Sequence, residues 1–172
     1  MAVKVQNESA GREFLLWLWY ESERNNGLFR LPDGKAVELW LGGRLALESP
    51  EGRTASDLTW RGDASEHDDA RWALSSGRRI RKAEYLLHMD QQEWRFILDS
   101  DSLDLHSLKI PRPERDGDEH PQALALERLY LVEAVTRTVE KLFSQFLERR
   151  MSPEWEKTAE PGIRKWLSGA RP

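Results

Sequence analysis

Seven consecutive apolar or aromatic residues, Phe14–Tyr20 of the stretch EFLLWLWYESE, constrain this chain more than any other feature. The run is far short of the ~20 apolar residues that a membrane-crossing helix needs. Ser9 is placed to cap a helix and Glu13 to sit in its first turn, where negative charge suits the helix dipole. The spacing therefore predicts a helix over residues 9–24, stopped by Asn25-Asn26-Gly27. Apolar side chains on every side of that helix require cover on most faces. The expectation is a buried element between a sheet and a C-terminal helix, with Trp17 and Leu18 deep and Glu21 and Glu23 at the wet end.

The next residues carry the period of strands. GLFRL and KAVELWL flank the turn PDG, and Val37, Leu39 and Leu41 alternate with Glu38 and Trp40. Trp40 stands on the polar side, either under a helix or as a surface aromatic. Gly42-Gly43 reads as a hairpin turn into RLALES, residues 49–57 read as loop, and LTW as a short strand. ASEHDDARWALSSG reads as a short helix, with Ser65 and Asp68 at capping-box spacing and Gly77 as the stop. RRIRKAEYLLHM and EWRFILD form a hairpin, with Trp94, Phe96 and Leu98 on one face, and SLDLHSLKI extends the sheet. Residues 111–121 are a proline-rich charged loop.

Residues 122–150 form a long helix. Val132, Val135, Val139, Leu142 and Phe146 recur at spacings of 3 and 4, as in a helix laid on a sheet or a helix-pairing seam. After it, Ser152-Pro153 starts one short helix before a tail. The fold class expected is α+β with a mainly antiparallel sheet, a buried N-terminal helix, a short middle helix and a long C-terminal helix. Residues 1–150 are expected to form a single domain, and 151–172 a C-terminal short helix and tail.

The 172-residue chain has no Cys, which removes disulfides, thiolate metal sites and Cys nucleophiles. The N-terminal residues have no apolar core of a secretory signal, and the expected location is the cytoplasm. No phosphate-cradling glycine loop, zinc-protease helix or nucleophile elbow is present. His67 lies among the acids of SEHDDA, but neighbouring residues on a helix diverge by about 100°, so dipole-favoured acids at a helix start are the simpler explanation. His88, His106 and His120 are isolated. No catalytic residue, cofactor or metal is expected.

Net charge is −4, which argues against indiscriminate polyanion binding, but the charge is unevenly spread. Residues 48–69 hold seven acids and two bases, whereas residues 71–95 hold six bases and three acids. Arg78, Arg79, Arg81 and Lys82 open one strand, with Arg79 and Arg81 expected on one face and Lys82 on the other. Together with Arg95, they are the candidate nucleic-acid contacts. Cations that merely protect a strand edge are the plainer explanation of the same residues.

The stretch from Gly77 to Pro111 resembles the C-terminal part of the bacterial recombination-associated RdgC family. The likeness rests on the Gly77–Lys82 strand, the aromatic core of Trp94–Leu98 and the segment Leu103–Lys109, with DARWALSSG as the preceding short helix. GREFLLWLWYESE is similar to a segment of shorter members, so the likeness extends over roughly residues 11–147. It implies a non-catalytic protein that binds DNA with little sequence preference, at the nucleoid, and limits access of RecA. Family members are dimeric rings, but full-length ones are considerably longer, with an N-terminal half absent here, so ring closure is not implied. DNA is thus the expected partner, with a homodimer through helix 122–150 and no membrane. The alternative is a protein-interaction module that does not touch nucleic acid.

Overall fold

A computed structural model describes residues 2–49, 58–61, 67–112 and 120–169, with side chains described from residue 10 onward and that of His67 excepted. Its elements run α1 (Ala2–Arg24), β1 (Leu28–Arg30), β2 (Ala36–Glu48), β3 (Leu58–Arg61), α2 (His67–Ser75), β4 (Arg79–Met89), β5 (Gln92–Asp99), β6 (Leu105–Lys109), α3 (Pro121–Arg150), a π-helical turn (Trp155–Ala159) and α4 (Glu160–Leu167). The strands make one antiparallel sheet in the order β1-β2-β4-β5-β6. β3 pairs with the second half of β2, on the edge whose first half holds β1. This is the α+β class expected from the sequence. The Ser65 cap, the middle of the 49–57 loop and most of the charged loop 111–121 lie outside the described residues.

Helices cover one face of the sheet. On that face the Tyr85 hydroxyl donates to the Leu15 carbonyl at 2.8 Å, and Trp94 Nε1 donates to the Leu131 carbonyl at 3.0 Å. Full burial pushes the Tyr85 phenol well above its usual range, so it remains a donor. Trp94, Phe96 and Leu98 share this face and are all buried, as their alternation requires. The β4–β5 hairpin turns on Asp90 and Gln91, both with positive φ, the two-residue loop that suits strand twist.

α1 is enclosed. Phe14 and Trp17 meet Phe146 of α3 at 5.5 and 5.7 Å, and Trp19 and Tyr20 meet Trp166 of α4 at 4.9 and 5.6 Å. Glu23 bridges two indoles, accepting from Trp19 Nε1 at 2.8 Å and Trp166 Nε1 at 2.7 Å. Trp17 and Leu18 are deep, as expected. Two expectations fail. The helix starts at Ala2, so Ser9 does not begin it. Glu21 is buried rather than wet, because Arg24 and Asn25 supply donors to its carboxylate. Among the described residues no helix is long and apolar enough to cross a membrane.

The Gly42-Gly43 turn also fails. These glycines lie inside the single strand β2, where Gly42, Gly43 and Arg44 bulge against the one residue Glu84 of β4. Gly43 N–H donates to Glu84 Oε2 at 3.0 Å, and Arg44 Nε stands 3.9 Å from Oε1. A Cβ on Gly42 would lie 2.7 Å from Glu84 Oε2. The glycines thus make room for a buried carboxylate instead of reversing the chain.

In α3, Val135, Val139, Leu142 and Phe146 of the expected stripe are buried against this protein's own core, but Val132 is exposed and Leu131, one position earlier, takes its place on the buried face. Each buried residue contributes roughly 1.5–3 kcal/mol of burial. These positions are already covered within the chain, so the stripe is that of a helix packed on its own core and does not bear on pairing through the rest of α3. Residues 153–167 are helical, and Trp155, Ile163 and Trp166 bury their side chains in the same core.

Candidate nucleic-acid interface

The second face of the sheet carries no described helix contact, and its side chains are half-exposed or exposed except for Glu84. One cross-strand row on it runs Trp40–Leu86–Arg95–Lys109, set by direct register across β2, β4, β5 and β6. The flanking rows are Glu38–His88–Glu93 and Glu84–Ile97–His106, with Ala46–Lys82–Asp99 one row beyond the latter. Trp40 lies over Gly27, whose added Cβ would come within 2.4 Å of the indole, and its Nε1 donates to Glu38 at 2.6 Å. No described helix lies over it, and it is a half-exposed aromatic on this face.

The five candidate cations do not form one cluster. Arg78 is half-buried at the entry to β4, where its N–H donates to the Ala73 carbonyl. Arg79 is exposed opposite Glu48. Between successive β2 partners the register passes from Ile80 to Lys82, so Arg81 is the extra residue of a bulge, and its carbonyl accepts from Ser100 N–H at 2.8 Å. The bulge changes the alternation. Arg79 and Lys82 share the side away from buried Ile80 and Ala83, instead of facing opposite ways.

Lys82 is held by Asp99 at 3.3 Å. Partial burial raises the Asp99 carboxyl, but the Asp101 N–H, Lys82 and the Ser102 N–H outweigh it and leave it below the usual carboxylate range. Arg95 sits four residues along the strands from the Lys82 row, a distance of about 13 Å at the usual rise per residue. It stands between Leu86 and Lys109, and Arg79, Arg95 and Lys109 make no ion pair among the described residues.

Sequence reasoning missed Lys109. Its signal was the alternation of SLDLHSLKI, which places Leu108 and Lys109 on opposite sides, but only the register brings Lys109 beside Arg95. Of the histidines, His88 contacts Glu93 at 2.9 Å, while His106 and His120 are exposed. Among the described residues no group of three or more His, Asp or Glu side chains is placed to hold a metal. Chemically, the face offers separated cations, one aromatic and intervening acids, which suits contact with a charged backbone more than base-edge reading. Comparisons with protein-family models, curated proteins and solved structures returned no match.

Proposed function

We propose that this chain is a non-catalytic DNA-binding protein of the RdgC type, contacting the sugar-phosphate backbone without sequence specificity and acting in recombination at the cytoplasmic nucleoid. The observation that carries the reading is the row Trp40–Leu86–Arg95–Lys109 on the uncovered sheet face, with Arg79 at the far end of the same sheet. Arg79, Arg95 and Lys109, which have no carboxylate partner among the described residues, are available to phosphates, whereas Lys82 must first leave Asp99. The intervening acids Glu38 and Glu93 limit the attraction, so binding is expected to be weak and strongly salt-dependent.

If each of the three meets one phosphate, the logarithm of the duplex affinity should fall with the logarithm of salt at a slope of about −2.7. Replacing Arg95 or Lys109 by Ala should make that slope shallower by about 1, and Lys82→Ala should change it less. Fluorescence anisotropy with labelled duplex and single-stranded DNA, from low to physiological salt, measures this. Absence of binding at low salt, or a slope indifferent to all three cations, rules the reading out.

A second reading, a protein-interaction module, is favoured by a different surface. Leu126, Leu129 and Tyr130 of α3 are 67%, 63% and 69% exposed, at the i, i+3, i+4 spacing that makes one patch. Its simplest form is a second copy of the chain packed through the same patch. Light scattering is then expected to show a dimer that L126S/Y130S converts to monomer. A wild-type monomer at high concentration excludes this pairing.

A further inference from the structure

The uncovered sheet face carries one group that phosphate contacts do not use, the half-exposed indole of Trp40. A Cβ on Gly27 would stand 2.4, 2.5 and 2.7 Å from its Cε2, Cζ2 and Nε1 atoms. The nearest is the ring-fusion carbon, which an approach in the ring plane would meet only after its two neighbours. Gly27 therefore lies against one side of the ring. The Nε1 edge is closed by Glu38 at 2.6 Å. No other aromatic ring or cation packs on Trp40 among the described residues, so the side turned away from Gly27 has no stacking partner. Any apolar side chain could cover Gly27, but only an aromatic one also presents a π-surface.

The register places cations at a fixed reach from that ring. Leu86, Arg95 and Lys109 follow Trp40 across the sheet, one strand each. At the usual strand spacing the backbone of Arg95 is about 10 Å away and that of Lys109 about 14 Å. Half-exposed Leu86 and Ile97 form an apolar floor between the indole and the two cations. The row on one side holds Glu38 and Glu93, which repel phosphate, and the row on the other holds Ile97 and His106. A nucleic-acid backbone is thus steered to Arg95 and Lys109, with bases directed over Leu86 toward Trp40. A duplex keeps its base faces inside the stack, and Trp40 lies within strand β2 instead of on a projecting loop that could wedge between base pairs. An unpaired strand offers its base faces freely, and every base has one.

We infer, resting on the DNA reading above, that this face takes a single strand in preference to a duplex, with one base stacked on Trp40 and the flanking phosphates on Arg95 and Lys109. The test is fluorescence anisotropy of the full chain with three labelled probes of one length: a thymidine strand, the same strand with abasic sites at every internal position, and a duplex. The abasic strand keeps every phosphate and loses the bases. The thymidine strand should bind at least about fivefold more tightly than the abasic one, and more tightly than the duplex. W40L keeps an apolar cover over Gly27 but has no π-surface. It should weaken thymidine-strand binding at least about fivefold with the salt slope unchanged, and W40F should recover most of the loss. R95A should weaken binding and make the slope shallower. If none of the probes binds at low salt, the DNA reading and this inference fall together. If the thymidine strand binds no more tightly than the abasic strand or the duplex, or if W40L leaves its affinity unchanged, this inference alone is overturned and the backbone reading stands. If W40L does not fold, the thymidine and abasic strands on the wild-type chain still decide.

Discussion

Trp17→Ala should lower the unfolding free energy by roughly 3 kcal/mol, the lower end of the range for deleting a large buried aromatic. Trp17 is 4% exposed and is packed by Phe14, Phe29 and Phe146 at centroid distances of 6.3, 6.1 and 5.7 Å. Its removal takes away the contact that joins α1 to both β1 and α3. Two features keep the cost from the top of the range near 5 kcal/mol. The indole edge borders an open cleft of about 540 Å³ between α1, β1 and the end of α3, so the space left behind opens to water instead of remaining an empty void. The Trp17 Nε1–H also has no hydrogen-bond partner among the described residues, so no such bond is lost with it. Urea unfolding followed by circular dichroism measures the change. A loss below about 1 kcal/mol would mean that the ring contributes little to the core.

That residue also shows what was legible before the structure. Apolar side chains around the whole circumference of Phe14–Tyr20 required cover on several sides, and the sheet, α3 and α4 supply it. The strands of the hairpin and the face of α3 were legible for the same reason, since a period of two or of 3.6 is a direct record of which side meets the core. What failed was whatever depended on a distant partner. Gly42-Gly43 reads locally as a turn, but its conformation answers to Glu84, more than forty residues later in the chain. Glu21 reads as solvated because it is charged, and is buried because Arg24 and Asn25 happen to reach its carboxylate.

The candidate interface divides in the same way. The concentration of bases after residue 70 is a property of composition and was plain, whereas its arrangement is a property of register. The bulge at Arg81 turns Lys82 to the side of Arg79 and into the grip of Asp99. Lys109 joins Arg95 only through the irregular β5–β6 pairing, which no local pattern encodes. A run of like charges is therefore legible in composition, whereas which of its cations share a sheet face and which are held by a carboxylate depends on register.

Gly11→Ala provides the sharper test of the packing, because two effects predict opposite signs. Gly11 lies inside α1, where Ala is favoured over Gly by about 1 kcal/mol, so intrinsic helix preference predicts stabilisation. The site itself predicts the reverse. A Cβ there would stand 1.8 Å from the Ser100 carbonyl oxygen and 2.9 Å from its carbon. These are backbone atoms, and Ser100 is 1% exposed, with its N–H bonded to the Arg81 carbonyl at 2.8 Å. Neither partner can turn aside as a side-chain tip would. Relief requires α1 to move off the end of β5, which loosens the contacts of Phe14 and Leu15 one turn further along. Overpacking of this kind costs about 3 kcal/mol or more, which exceeds the helix gain and leaves a net loss of at least about 2 kcal/mol. The same urea titration reads the sign directly. A variant as stable as wild type, or more so, would show that α1 does not rest on the Ser100 backbone, and the close seating of the helix on the sheet would have to be abandoned. If the loss is found, Gly11 is the residue that lets the apolar helix approach the sheet closely enough for Tyr85 to bond the Leu15 carbonyl.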